Sequence, residues 1–235
     1  MTDGDAGQPS TTAARPARAG EPFFTWLAVA ACAVVFAGFA PSFYLRSAAL
    51  PPLSAWLAWH GVSLTLWYLL VIVQGALVGF ARTNSRLRAH RRLGVAGLTV
   101  AVAVIVTGAV VAFDFYQNGT GDVILTPAGL LFANLMNLVS FAICFALGVA
   151  LRRQPRPHKR FLALAGVLMI GPAAFRLVVN LGLAPPFSLV IQLGLLVAQF
   201  GYDRRRLGSI HFASWTGLGL IVIQIVGTMA IGLRS

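Results

Sequence analysis

Long runs of apolar residues, separated by short polar segments, dominate the pattern along the chain. Seven of these runs are long enough to cross a membrane, since a helical crossing needs about 20 apolar residues. They occupy residues 23–43, 55–80, 93–113, 128–151, 161–181, 186–202 and 212–233. Because a helix satisfies its own backbone hydrogen bonds inside a bilayer, the pattern predicts an all-α bundle of seven transmembrane helices.

The first 21 residues differ from the rest of the chain. Residues 1–21 are rich in Ala, Thr, Gly, Pro and Asp and have no apolar periodicity, which predicts a disordered tail. The apolar run that follows is too long for the core of a signal peptide. Residues 22–235 are therefore expected to form one transmembrane domain.

The composition excludes a soluble protein. Of the 235 residues, 58% are hydrophobic and only 10% are charged, whereas a soluble domain is about 25% charged. The net charge is +12, but most of the basic residues are expected in short loops between the apolar runs instead of on a folded soluble face. We therefore expect no nucleic-acid partner. Anionic lipid head groups are the expected partners of these arginines.

The basic residues also predict an orientation. The segments after the second, fourth and sixth runs and the N-terminal tail hold 15 of the 18 Lys and Arg residues. Basic residues accumulate on the cytoplasmic side of membrane proteins. The sequence thus predicts a cytoplasmic N-terminus and an external C-terminus.

Each of these three basic segments contains a histidine that is expected to open the next helix, which places three histidines at one depth, near the cytoplasmic end of the bundle. They are His90, His158 and His211. Imidazoles at one level could bind a transition metal, and two of them could ligate heme b from opposite faces. The alternative is that each histidine contacts lipid phosphates and helix ends.

A second polar cluster is expected near the outer end of the bundle. Arg176 is the one charged side chain inside the apolar runs, with Asn180 one turn further on and Asp114 as its nearest expected counter-ion. His60 should lie at a similar depth, and Gly171 with Pro172 should kink the helix and free a carbonyl group. The alternative is that Arg176 extends to the head groups.

Further amides lie along the faces of several predicted helices. Lipid is a poor solvent for amides, so these faces should point into the bundle. They are expected either to line a polar cavity or only to bind helices together. The residues predicted for such a cavity are His60, Gln74, Asp114, Asn134, Asn137, Arg176, Asn180 and Gln192.

A resemblance to other proteins indicates a cellular location for this protein but no catalytic reaction. The sequence has His60, Gln74 and a His-Arg-Arg-Leu-Gly turn at residues 90–94, followed by a second turn at His158 and a third at His211. In these motifs the chain resembles an uncharacterised group of bacterial multi-pass inner-membrane proteins. More distantly, the histidines at helix ends are similar to those of cytochrome b561-like and oxidase-assembly membrane proteins. The resemblance implies a bacterial inner membrane and no reaction.

No catalytic motif in the sequence names a reaction. The first functional hypothesis is a histidine-ligated redox or heme-handling membrane protein. The second is a carrier or sensor for a small solute, with the cavity around Arg176. The third is an assembly subunit without catalytic activity. A membrane hydrolase is disfavoured, because the apolar runs contain no carboxylate that could act as a base.

Overall fold

A computed structural model describes residues 22–80, 84–120 and 124–232. The predicted tail, residues 1–21, lies outside the described residues. Within them the chain forms eight α-helices and one π-helical turn. The elements are α1 (Phe23–Phe39), the π-turn (Ala40–Tyr44), α2 (Ala55–Gly79), α3 (Asn84–Gln117), α4 (Pro127–Ala150), α5 (Pro155–Met169), α6 (Gly171–Asn180), α7 (Phe187–Leu207) and α8 (Phe212–Gly232).

Five of the described helical segments are long and apolar enough to cross a membrane, and α5 with α6 makes a sixth if that bent pair is one span. The chain is therefore an all-helical, multi-pass membrane protein. The remaining predicted span, the run at residues 186–202, corresponds to α7. This helix is not apolar enough to count as a crossing, since it contains Gln192, Gln199, Asp203 and the arginines at 204–206. The seventh crossing and the orientation of the termini remain predictions.

Local sequence explains where several helices begin and end. The Thr-Pro-Ala-Gly sequence at residues 126–129 predicts a helix start with Thr126 as the cap and Pro127 at the first position. In the structure, the hydroxyl of Thr126 accepts the Gly129 N–H at 3.2 Å, and Pro127 is the first residue of α4. Gly208 ends α7 with a φ of 73°, a left-handed conformation that glycine adopts without strain. Helix α1 ends just before Pro41, which has no N–H to donate. The π-turn follows, and the Leu45 N–H donates at 2.7 Å to the carbonyl of Ala40, five residues earlier.

The basic segments were expected to be loops, and this expectation is wrong for much of their length. Helix α3 begins at Asn84 and not near residue 93, α5 begins at Pro155, and α7 continues to Leu207. Hence His90 lies in the second turn of α3 and His158 in the first turn of α5, and neither residue opens its helix. Arginine is a good helix former and its side chain can extend to water, so a helix can continue beyond its apolar segment.

The chain bends by 42° between α5 and α6, at the predicted Gly171–Pro172 site. Helix α5 is the central element, because it contacts α1, α2, α4, α7 and α8. Every residue from Ala163 to Ile170 is buried. The outer faces of the other helices expose large apolar side chains, as expected of surfaces that contact lipid. Examples are Trp26, Trp59, Val95, Val190 and Val226.

The connections divide the bundle into two ends. The α2–α3, α4–α5 and α7–α8 connections and the adjoining helical turns carry most of the arginines, and we call this the arginine-rich end. The α1–α2, α3–α4 and α6–α7 connections lie at the opposite end.

Candidate functional site

A cavity of about 280 Å³ lies at the opposite end of the bundle. Its wall comes from α1 with the π-turn, from α2, α3 and α4, and from the bend between α5 and α6. Most of this wall is apolar, with Phe39, Leu64 and Val111 among its side chains. A concave, largely apolar site with a few polar groups is typical of small-molecule binding.

Four of the eight polar residues predicted for a cavity line this one, namely His60, Asn134, Asn137 and Arg176. They come from α2, α4 and α6, so the tertiary structure brings together residues that are far apart in the sequence. The helical bend contributes to the wall through Pro172.

The hydrogen bonds of His60 determine which nitrogen carries its proton. His60 Nδ1 lies 3.1 Å from the Thr107 hydroxyl, and that hydroxyl donates its proton to the Ala103 carbonyl at 2.6 Å. The hydroxyl can therefore only accept from His60, so Nδ1 carries a proton and Nε2 is an acceptor in the neutral ring. Gly108 makes room for the ring, because a Cβ there would lie 2.8 Å from His60 Cε1.

Asn137 presents a buried acceptor without a donor. Its side chain is 4% exposed, and its Nδ2 donates to the Ala133 carbonyl at 2.8 Å. Its Oδ1 has no hydrogen-bond partner among the described residues. An unsatisfied buried acceptor costs about 1–3 kcal/mol, so a ligand that donates a hydrogen bond to this atom would recover that cost.

Positive charge also reaches the cavity wall. The guanidinium carbon of Arg176 lies 5.2 Å from the centre of the Phe39 ring, a cation–π arrangement that orients the side chain. Arg46 also lines the cavity and donates to the carbonyls of Ser42 and Pro51. The wall therefore includes two guanidinium groups, which are hydrogen-bond donors.

The other four residues predicted for this cavity do not line its described wall. Asp114 accepts a hydrogen bond at 3.2 Å from Asn118, which lies just beyond the end of α3. Asn180 donates to the Gly38 carbonyl at 3.3 Å and so connects α6 to α1. Gln74 lies towards the arginine-rich end, where its backbone carbonyl faces His90.

Gln192, the fourth of these residues, donates hydrogen bonds to the backbone at the helical bend. Pro172 has no N–H to give to the carbonyl of Leu168, four residues earlier. Gln192 Nε2 donates to this carbonyl at 3.2 Å and to that of Val167 at 3.4 Å. The prediction that the bend frees a carbonyl group is thus confirmed, and an amide on α7 satisfies it.

The three predicted inner histidines do not form a single group. The ring centres of His90 and His158 are 6.3 Å apart, with the ring planes at 86°. His211 instead caps α8, since its Nδ1 accepts the Ala213 N–H at 3.2 Å. Across the part of the chain that the structure describes, no three His, Cys, Asp or Glu residues could together hold a metal ion.

The sequence reasoning missed a buried ion pair at the arginine-rich end. Arg160 Nη2 and Nε lie 2.6 and 2.7 Å from Asp203 Oδ1, and the two side chains are 1% and 0% exposed. Asp203 Oδ2 accepts the Ser214 hydroxyl at 2.6 Å and the His211 backbone N–H at 3.1 Å. Gln199 extends the network by donating to the Ser214 hydroxyl at 2.9 Å. The network therefore joins α5, α7 and α8.

One signal in the sequence could have indicated this network. Asp203 is the only carboxylate in the three basic segments after the second, fourth and sixth apolar runs. A single acid among so many arginines needs a specific partner if it is buried.

The same network affects His211. Burial, followed by the nearby Arg160 guanidinium, lowers the pKa of His211, and these effects outweigh the opposite effect of Asp203. The neutral ring is the form that can accept the Ala213 N–H, because both nitrogens of a protonated imidazole are donors.

The chain matches no protein-family model, and no curated protein or solved structure matches it significantly.

Proposed function

We propose that this membrane protein binds a small organic acid in the cavity and serves as a carrier or sensor for it. One observation carries the proposal. Arg176 and Asn137 line the same cavity, and the Oδ1 of Asn137 is buried without a hydrogen-bond partner among the described residues.

The polar groups define the head of the ligand. A carboxylate would accept hydrogen bonds from the Arg176 guanidinium, which can present two parallel N–H groups to it. The Oδ1 of Asn137 and the Nε2 of His60 are both acceptors, so the ligand should also carry an O–H or N–H donor. A carboxylic acid with a neighbouring hydroxyl or amino group meets both requirements.

The volume and the apolar wall define the body of the ligand. The cavity volume of about 280 Å³ is just below the range for small-molecule sites, which is about 300–1,000 Å³. Apolar side chains such as Leu64 and Val111 surround the polar groups. The ligand should therefore have one compact aliphatic or aromatic group.

The bend supports a carrier or a sensor over a purely structural role. Arg176 lies on α6, just after the bend, and the freed carbonyl of Leu168 is held by Gln192 instead of a backbone N–H. Interrupted helices that line a cavity are typical of membrane transport sites. Contact between the ligand and Arg176 would act on α6 directly.

The first experiment measures binding to the purified protein in mild detergent by calorimetry. The probes are 2-hydroxy-3-phenylpropanoate, 3-phenylpropanoate, which lacks the hydroxyl group, and the uncharged amide of each acid. We expect the hydroxy acid to bind most tightly and the amides to bind at least about tenfold more weakly, since a hydrogen bond to a charged group contributes about 1.5–3 kcal/mol.

Three variants distinguish the contacts. Arg176→Gln should weaken both acids, whereas Asn137→Leu should weaken only the hydroxy acid. Arg153→Gln is the matched control, because this exposed arginine lies at the arginine-rich end, and its affinity should equal that of the wild type. Equal affinity of Arg176→Gln and the wild type, or the absence of binding to any acid, would overturn the proposal. Variants that changed only stability would favour the assembly-subunit hypothesis.

For the cellular setting, we propose the bacterial inner membrane, with the arginine-rich end in the cytoplasm and its arginines against anionic head groups. The supporting observation is the concentration of 15 of the 18 basic residues in the tail and the three basic segments. A C-terminal alkaline phosphatase fusion should then be active, and an inactive fusion beside an active C-terminal fluorescent protein would reverse the orientation.

A further inference from the structure

We infer that His90 and His158 together bind one transition-metal centre at the arginine-rich end of the bundle. This inference does not depend on the proposed acid site, because the two histidines lie at the other end of the molecule. It reduces the three histidines considered from the sequence to two.

The tautomer of His158 is fixed in the form that a metal needs. Its Nδ1 lies 2.7 Å from the carbonyl oxygen of Gly148. A carbonyl can only accept, so Nδ1 carries the proton and Nε2 of the neutral ring has a lone pair. Histidines that bind metals usually donate their second ring N–H to a carbonyl or carboxylate in this way.

The ring of His90, next to that of His158, has a nitrogen without a hydrogen-bond partner among the described residues. Its Nδ1 is buried and has no hydrogen-bond partner among the described residues, and the ring faces the backbone carbonyl of Gln74. The side-chain Oε1 of Gln74 is likewise buried without a partner. A buried polar atom without a hydrogen-bond partner destabilises the folded protein. A cation bound by these atoms would remove that unfavourable free energy.

The separation of the rings fits a shared metal. A metal–nitrogen bond of about 2.0–2.1 Å places the centre of each imidazole roughly 3.2 Å from the metal. Two rings on nearly opposite sides of one metal would then have centres roughly 6.4 Å apart. The observed separation is 6.3 Å, with the ring planes at 86° to each other.

Paired imidazoles can bind either a free metal ion or the iron of a heme. The shared chemistry is ligation by two neutral histidines, and the two sources give different spectra. His211 does not belong to the site, because its Nδ1 lone pair already accepts the Ala213 N–H.

The experiment titrates the full-length purified protein with Co²⁺ and, separately, with hemin, and records visible spectra. Metal analysis of the protein as purified accompanies both titrations. Visible d–d bands on Co²⁺ addition would indicate a metal-ion site. A Soret band, with sharp α bands after reduction by dithionite, would indicate heme.

The variants preserve the fold as far as possible. His90→Leu removes the unsatisfied nitrogen. His158→Asn keeps a donor for the Gly148 carbonyl but loses the free ring nitrogen. We expect each variant to bind the preferred probe more than tenfold more weakly than the wild type, while His211→Asn binds as the wild type does.

Size-exclusion chromatography and thermal unfolding verify that each variant is folded. The inference is overturned if the folded wild type binds neither Co²⁺ nor hemin. It is equally overturned if His90→Leu or His158→Asn retains wild-type affinity.

Discussion

Arg160 and Asp203 form an ion pair that is fully removed from solvent, with 2.6 Å between Arg160 Nη2 and Asp203 Oδ1. The pair joins the central helix α5 to the end of α7. Asp203 also accepts the Ser214 hydroxyl and the His211 backbone N–H, so one carboxylate holds three helices together at the arginine-rich end.

Removing the charge of Asp203 should destabilise the protein strongly. In Asp203→Asn the buried Arg160 guanidinium loses its counter-ion, and the loss of one partner of a buried pair costs about 3–5 kcal/mol. Denaturant unfolding in detergent measures this cost. Arg205→Gln, an exposed arginine two residues away, is the control and should change stability by less than about 0.5 kcal/mol. Equal stability of the two variants would contradict a buried pair.

Replacing both partners should cost much less than replacing one. The double variant Arg160→Met, Asp203→Leu leaves no unpaired buried charge, and apolar replacement of a whole buried pair is often neutral. We therefore expect the double variant to recover most of the stability that Asp203→Asn loses. A double variant less stable than Asp203→Asn would indicate that the other partners of Asp203 dominate.

Gln192 and Pro172 should be energetically coupled. Gln192→Leu removes the donor that the freed Leu168 carbonyl uses, at an expected cost of about 1–3 kcal/mol. Pro172→Ala restores a backbone N–H at the position that would normally bond to this carbonyl. Gln192→Leu should consequently cost less in the Pro172→Ala background, and a double-mutant cycle of unfolding free energies measures the difference. Additive effects would mean that Gln192 does not replace the missing backbone bond.

Gly38 should tolerate no side chain. A Cβ at Gly38 would lie 2.1 Å from the backbone oxygen of Ala173, where α1 packs directly against α6. Gly38→Ala should destabilise by about 1–3 kcal/mol or more, because backbone atoms cannot move aside easily. Gly194→Ala is the matched control, since nothing lies within 4 Å of its Cβ, and better helix propensity should stabilise that variant by about 1 kcal/mol. Thermal unfolding of both variants tests whether the two helices are in contact.

His211 should make stability depend on pH. Burial and Arg160 lower the pKa of His211 in the folded protein, so the unfolded chain binds the proton more readily. The stability contribution of neutral His211 is present above pH 6.5 and is lost as the pH falls through the lowered value. His211→Asn keeps an acceptor for the Ala213 N–H but cannot titrate. The unfolding temperature of the wild type should thus fall more between pH 7 and pH 5 than that of His211→Asn, and parallel curves would refute this assignment.

The sequence predicted which segments form helices better than it predicted where the helices end or which side chains they bring together. The start of α4 at Thr126 and Pro127 and the bend at Pro172 follow from local chemistry, and both predictions are confirmed. The start of α3 could not be predicted in this way, because hydropathy marks the limits of an apolar segment and not the limits of the helix that contains it. The burial of Arg160 could not be predicted either, since nothing in its own segment distinguishes it from an arginine at the lipid surface.

For this protein, the sequence by itself determined the class of fold, since so many apolar residues in such long runs are stable only as helices within a membrane. It also selected His60, Asn134, Asn137 and Arg176 for a polar site, because polar groups in such runs must face other protein groups. Only the tertiary structure decided which of the selected residues meet. Helix order along the chain does not fix which helices are neighbours or which faces they turn to each other. For that reason Gln192 holds the bend, His211 caps α8, and Arg160 binds Asp203, 43 residues along the chain.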